Sequence, residues 1–221
     1  RKPHRRWCGR QGRGKVKMDI TMIDRYIDFS AAFPIAVVAL AASFLPLFNL
    51  LKLPVPRTVW SVSWLFVAWC FTWSYLFNDF TSIGLNGLVY VDPLTLIFDS
   101  LILLGTGLTL ILHSRQFESQ KIAAAPADID ALILFAAVGG MVMVSATDLI
   151  VLFLGFELLS ICVYVLTGTA RTEKASAEGA LKDFVLGAFS SAFLLYGAVL
   201  IYGATGSMVL HEIGTRADSG N

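Results

Sequence analysis

The chain has 221 residues, 56% of them hydrophobic and 15% charged, with a mean hydropathy of +0.70. Soluble domains carry about 25% charged residues, so the composition excludes an ordinary cytosolic enzyme. The formal net charge of +1 hides an asymmetry: residues 1–17 hold eight Lys/Arg and no acid, and residues 18–221 hold nine basic and sixteen acidic groups.

Six apolar segments follow in chain order, each bounded by charges, Pro or Gly. The first is predicted over Phe29–Leu51 and the second over Thr58–Phe77, joined by Lys52-Leu53-Pro54-Val55-Pro56-Arg57, whose two prolines enforce a turn. A polar, glycine-containing loop from Asn78 to Tyr90 leads into the third, Val91–His113. The fourth covers Ile129–Ala146, the fifth Leu149–Gly168 and the sixth Ala177–Gly203. About twenty helical residues span the ~30 Å of hydrocarbon. No alternating pattern of the membrane-barrel kind is present, so strands are not expected. The expected fold is all-α and integral to the membrane, with six transmembrane helices and a polar tail over residues 208–221 that lacks a closing helix.

Basic residues set the orientation. The links after helices one, three and five carry Lys52/Arg57, Arg115/Lys121 and Arg171/Lys174, whereas those after helices two and four carry none. The odd links should face the cytoplasm and the N-terminus the periplasm. The basic segment 1–17 opposes this, and the conflict disappears if Met18 is the natural start and residues 1–17 are a non-native upstream extension; a cationic lipid- or nucleic-acid-binding arm is the other reading. Cys8, Cys70 and Cys162 form no CxxC or Cys/His spacing, which speaks against a disulfide framework or zinc site.

Glu157 is the outstanding ionisable residue, near the midpoint of the fifth span. A charge there costs roughly 3 kcal/mol on insertion scales. It is tolerated if the side chain faces the bundle interior, meets a partner or takes up a proton, and a carboxyl beside a lysine can switch protonation when the lysine moves. The alternative is a neutral, hydrogen-bonded structural Glu. Lys182, early in the sixth helix, either couples to it or snorkels to the interface. For antiparallel neighbours the axial offset of the two is roughly 9 Å, which points to coupling through water or a third group instead of a tight bridge. Asp99 is either interior-facing or solvated, Asp183 adjoins Lys182, and Asp148 reads as a helix cap. His113 and His211 lie at interfaces and read as anchoring or solvated groups more than as proton carriers, and Trp60, Trp64, Trp69 and Trp73 read as a membrane-facing or interfacial surface more than as a cofactor box. Gly187 and Ser191 form a small-xxx-small pair expected to admit another helix.

The stretch Phe153-Leu154-Gly155-Phe156-Glu157-Leu158-Leu159-Ser160, continuing through Tyr164-Val165-Leu166-Thr167-Gly168, resembles the fifth-helix motif of the N subunit of bacterial NADH-quinone oxidoreductase, respiratory complex I. The likeness continues in Ser176-Ala177-Glu178-Gly179-Ala180-Leu181-Lys182, Leu186-Gly187-Ala188-Phe189-Ser190-Ser191, Leu194-Leu195-Tyr196-Gly197 and Tyr202-Gly203-Ala204-Thr205-Gly206-Ser207. Glu-Leu-Leu-Ser resembles subunit N more than its sister subunits L and M, and Val91-Asp92-Pro93-Leu94 is compatible with it.

The resemblance implies an antiporter-like, fourteen-helix fold with a periplasmic N-terminus, of which this chain would hold the N-terminal part. Residues 18–128 would be helices one to three, and residues 129–207 helices four to six, the start of a truncated first repeat. It implies a proton-translocating membrane-arm subunit in which Glu157 and Lys182 carry proton transfer. It implies no cofactor in this chain, with NADH, FMN, iron–sulfur clusters and quinone in other subunits of the complex. The implied partners are other membrane-arm subunits and the lipid bilayer, with quinone reached only through the complex and no nucleic acid. The implied location is the bacterial inner membrane. Asp183 departs from the family, which usually has an aromatic residue there. Without the family's later helices the polypeptide is not expected to pump protons by itself. The competing readings are a subunit of a multisubunit sodium/proton antiporter or ion-pumping hydrogenase, and a non-pumping structural membrane module.

Overall fold

The computed structural model describes residues 30–51, 57–78, 81–117, 126–169 and 174–219. The expectations placed on residues 1–17, on Cys8 and on Lys52, Lys121 and Arg171 lie outside these residues. The helices are α1 (Phe33–Leu51), α2 (Arg57–Phe77), α3 (Pro93–Phe117), α4 (Pro126–Ser145), α5 (Leu149–Thr167), α6 (Lys174–Thr205) and α7 (Leu210–Ser219), with strands β1 (Ser82–Gly84) and β2 (Val89–Val91) between α2 and α3. Five helices, α2 to α6, are long and apolar enough to cross a membrane, and α1 contains the shorter apolar stretch Phe33–Leu47.

The all-α membrane architecture matches the expectation, with three local corrections. The loop expected over Asn78–Tyr90 contains an antiparallel hairpin that pairs Ser82 with Val91 and Gly84 with Val89. Its tip runs through the left-handed conformations of Leu85, Asn86 and Gly87 (φ 48°, 61° and 89°). Helix α3 therefore starts at Pro93, not Val91. Proline suits the first helical position, and Asp92 Oδ1 accepts the Thr95 backbone N–H at 2.7 Å. The third correction is the polar tail, most of which is helix α7. Glu212 and Arg216 pair at 3.2 Å across one turn, and Arg216 Nη1 donates to the Thr205 carbonyl. Those contacts hold a short helix that local propensity alone leaves marginal.

Helix α4 is the centre of the bundle. It is apolar on all sides, as a surrounded helix requires, and Leu134, Val138 and Met141 are buried with Val38, Ala42 and Leu45 of α1, Leu65 and Ala68 of α2, and Leu103 and Leu110 of α3. The backbones of α4 and α5 nearly touch: a Cβ on Gly155 would lie 2.8 Å from the Gly139 carbonyl oxygen. Helix α6 is the opposite case, with only 11% of its span buried. It extends beyond Ala177–Gly203 at both ends, to Lys174 and Thr205; at the N-terminal end Lys174 and Ala175 are strong helix formers.

One end of the bundle is stitched by backbone. Thr147 N donates to the Leu88 carbonyl, Leu149 N to the Met208 carbonyl and Leu210 N to the Thr147 carbonyl. Val89 bridges Ala146, and Asp148 bridges Val209. The α4–α5 link thus joins the hairpin to the α6–α7 link, on the side of the even-numbered connections.

Candidate functional site

Helix α5 starts cleanly because Asp148 caps it: its Oδ1 accepts the Ile150 backbone N–H at 2.7 Å. Asp148→Ala is expected to lower stability by about 1 kcal/mol, read as a lower melting temperature in detergent. From this cap the helix carries Glu157 to the middle of its span. Gly155 and Leu159 turn to Gly139 of α4. On the other side, Phe153 lines the crevice with Phe193, Gly197 and Ala198 of α6, and Tyr164 packs on Gly187 of α6. Residues 153, 157 and 164 share one helix face, so Glu157 sits on the side of α5 turned to α6. It is half-buried, and its Oε1 is buried with no hydrogen-bond partner among the described residues.

Lys182 is placed differently. Its Nζ donates to Glu178 Oε1 at 2.7 Å, one turn earlier on α6, with both side chains about two-thirds exposed. The face of α6 that meets α5 is marked by Gly187, Ser191 and Ala198. At 100° per residue, Lys182 and Glu178 point to the opposite side. The axial offset is also larger than expected. A Cβ on Gly168 would lie 3.1 Å from Ala180 Cβ, and counting residues from that contact separates Glu157 from Lys182 by roughly 13 Å. At the height of Glu157 the polar groups are the buried Ser160 of α5 and Ser191 of α6. Among the described residues, Glu157 has no direct lysine. The Glu178–Lys182 pair was open to sequence reading, since Glu four residues before Lys is the favoured helical ion-pair spacing.

The remaining candidates divide by burial. Asp99 of α3 is 3% exposed, on the core side with Leu96 and Leu103, and its Oδ1 has no hydrogen-bond partner among the described residues. Asp183 and His211 are exposed. His113 is drawn inward: its Nδ1 lies 2.9 Å from Oδ1 of Asp130, a buried carboxyl on α4 that the sequence did not single out. Trp60, Trp64 and Trp69 are half-buried and pack in part against the core, and Trp73 is the exposed member of the series. The Gly187–Ser191 pair admits the Tyr164 ring, not a second backbone. Among the described residues no group of three His, Cys, Asp or Glu side chains is arranged to hold a metal ion.

Residues 146–221, which include α5, α6 and α7, match the family described as NADH:quinone oxidoreductase/Mrp antiporter, TM. The chain is 48% identical over 128 residues to NADH-quinone oxidoreductase subunit N of Gemmatimonas aurantiaca, covering 58% of this chain and 24% of that protein. It is 37% identical over 196 residues to NADH-quinone oxidoreductase subunit N 1 of Thermodesulfovibrio yellowstonii, covering 89% of this chain and 41% of that one. The chain thus spans a quarter to two-fifths of the length of these relatives. A chain of respiratory complex I from Thermus thermophilus, solved with bound aureothin, superposes with a TM-score of 0.66 and 30% identity over 80% of this chain and 38% of its own. In sequence and in fold, this multi-pass membrane chain is a homologue of NADH-quinone oxidoreductase subunit N.

Proposed function

We propose that this chain is part of a proton-translocating membrane-arm subunit of NADH:quinone oxidoreductase, and that Glu157 and Lys182 transfer the proton. The observation that carries the reading is Glu157 itself: a mid-span carboxyl on the α5–α6 face with a buried oxygen that has no hydrogen-bond partner among the described residues. A structural glutamate would satisfy that oxygen, since an unpaired buried polar group is destabilising.

Lys182 contributes at a distance. With its ammonium on Glu178, it acts on Glu157 through intervening water and not by direct contact. The chain serves an enzyme as a subunit, with electron carriers and quinone held elsewhere in the complex. The basic residues at the odd helix ends favour a cytoplasmic position for those ends and a periplasmic one for the stitched layer and the N-terminus, in a bacterial inner membrane. Other membrane-arm subunits and lipid are the partners.

The test is Glu157→Gln in the membrane complex. NADH oxidation should continue in uncoupled vesicles while translocated protons per NADH fall; an unchanged ratio would contradict the reading. Because the matching family description also includes the Mrp antiporter, a sodium/proton antiporter subunit is the second reading. Sodium-dependent proton uptake that persists without NADH would favour it.

A further inference from the structure

Asp92 and Asp148 each accept a backbone N–H at a helix start, and Asp130 meets His113. Asp99 does neither. It stands six residues into α3, roughly 9 Å along the axis from Pro93, and is 3% exposed with no hydrogen-bond partner for Oδ1 among the described residues. A Cβ on Gly140 would lie 3.4 Å from Ile102 Cδ1, and one on Gly107 4.0 Å from Leu65 Cδ1. Counting along the antiparallel helices from these contacts puts Asp99 close to the level of Met143 and Val144 of α4 and of Thr72 of α2. The hydroxyls of this layer spend their hydrogens within their own helices: Thr72 donates to the Ala68 carbonyl at 3.0 Å, Ser100 to the Leu96 carbonyl at 2.9 Å and Ser145 to the Met141 carbonyl at 2.9 Å. Those hydrogens are not available to a carboxylate, which only accepts, whereas a carboxylic acid brings a hydrogen of its own. The basic residues of α1 to α4 are Arg57, His113 and Arg115, all near the end of the bundle away from the hairpin. The remaining titratable groups around α3 are Asp92, Tyr75 of α2 and Tyr90 of β2, which stand nearer the hairpin, the exposed Cys70 of α2, and Asp128 and Asp130 near the start of α4; α1 has none. Thr95, one turn before Asp99 on the same face, lines an open depression of about 360 Å³ at the hairpin end, together with Asp92, Phe98 and Ser145.

We propose that Asp99 is a second proton-exchanging carboxyl of this chain, trading protons with the hairpin end of the bundle. A carboxylate oxygen of Asp99 takes a proton from a hydronium ion: one O–H bond forms on the side chain as another breaks, and water is left. The acid later returns that proton to a water molecule, which becomes hydronium as the carboxylate is restored; no electron changes hands. A carboxyl kept in a membrane-crossing helix without cation or hydrogen-bond donor is costly, and a purely structural aspartate at this place would be paired as Asp92, Asp130 and Asp148 are. Asp99 is separate from Glu157, because α4 stands between them: at Gly140 it meets Ile102 of α3 on one flank and Leu159 of α5 on the other.

This inference rests on the proton-translocating reading, and the experiment separates the two. In inverted vesicles containing the assembled complex, Asp99→Asn keeps the size of the side chain and removes its titratable proton. It is expected to lower translocated protons per NADH on the order of tenfold, with the amount of assembled complex unchanged, and Asp99→Glu, which keeps the carboxyl, should recover most of the loss. Infrared difference spectra on energisation supply a readout that a packing defect does not move: a protonated-carboxyl band, separate from that of Glu157, retained in Glu157→Gln and absent from Asp99→Asn. Wild-type translocation in Asp99→Asn, no recovery in assembled Asp99→Glu, or the absence of such a band would overturn the proposal. If Asp99→Asn does not assemble, Asp99→Glu decides: the band should move in frequency, and an unmoved band would overturn the assignment. Loss in Glu157→Gln with no loss in Asp99→Asn would remove the second carboxyl and leave the broader reading intact; no loss in either would remove both.

Discussion

Gly155→Leu should prevent α5 from docking on α4, and membranes expressing it should yield little monodisperse protein. Even alanine is too large there: its Cβ would lie 2.8 Å from the Gly139 carbonyl oxygen and 2.8 Å from the Met143 backbone nitrogen. These are backbone atoms of the most enclosed helix in the bundle, so relief requires α5 to move as a unit. Overpacking of this kind costs about 1–3 kcal/mol for an added methyl, and a branched side chain costs more. The same crowding applies from the other side, where a Cβ on Gly139 would lie 2.7 Å from the Gly155 carbonyl oxygen. Gly107, whose Cβ would meet nothing nearer than Leu65 Cδ1 at 4.0 Å, is the control: Gly107→Ala should leave the size-exclusion profile and melting temperature near wild type. Wild-type behaviour in Gly155→Leu would mean that the two backbones do not approach as described.

The second large effect concerns coupling. Glu157→Gln and Lys182→Ala are each expected to lower translocation on the order of tenfold or more, while the double variant falls no further than the worse single one. Residues that serve one transfer path are non-additive in this way. Stability should behave differently. The Glu178–Lys182 pair is about two-thirds exposed, and such i,i+4 pairs contribute only about 0.3–0.5 kcal/mol, so Lys182→Ala should barely shift the melting temperature. Fully additive losses would mean that the two residues lie on independent paths. An unchanged rate in Lys182→Ala would assign the lysine to the interface.

Helices α1 to α6 were legible because each apolar run is about as long as the bilayer is thick and ends at Pro, Gly or charge. The hairpin was not, because strands of three residues, Ser82–Gly84 and Val89–Val91, are too short for alternation to register. Helix α7 was hidden for a related reason. Its local signal amounts to Glu212 and Arg216 one turn apart, and its anchor is the Thr205 carbonyl on another helix. Glu157 stood out from position alone. The side of α6 on which Lys182 lies depends on how α6 rotates against α5, which is set by Tyr164 lying on Gly187, a contact 23 positions apart in sequence. The same distance effect concealed His113 and Asp130, which are 17 residues apart and meet only once α3 and α4 pack antiparallel.

Proton transfer through this chain requires the Glu157 carboxyl to exchange a proton inside the membrane during turnover. Infrared difference spectroscopy of the complex, comparing resting and NADH-energised states in H₂O and D₂O, reads this at the bond concerned. The account predicts a protonated-carboxyl C=O band that changes on energisation, shifts on deuteration and disappears in Glu157→Gln. The same band persisting unchanged in Glu157→Gln, or no carboxyl signal on energisation in the wild-type complex, would contradict it.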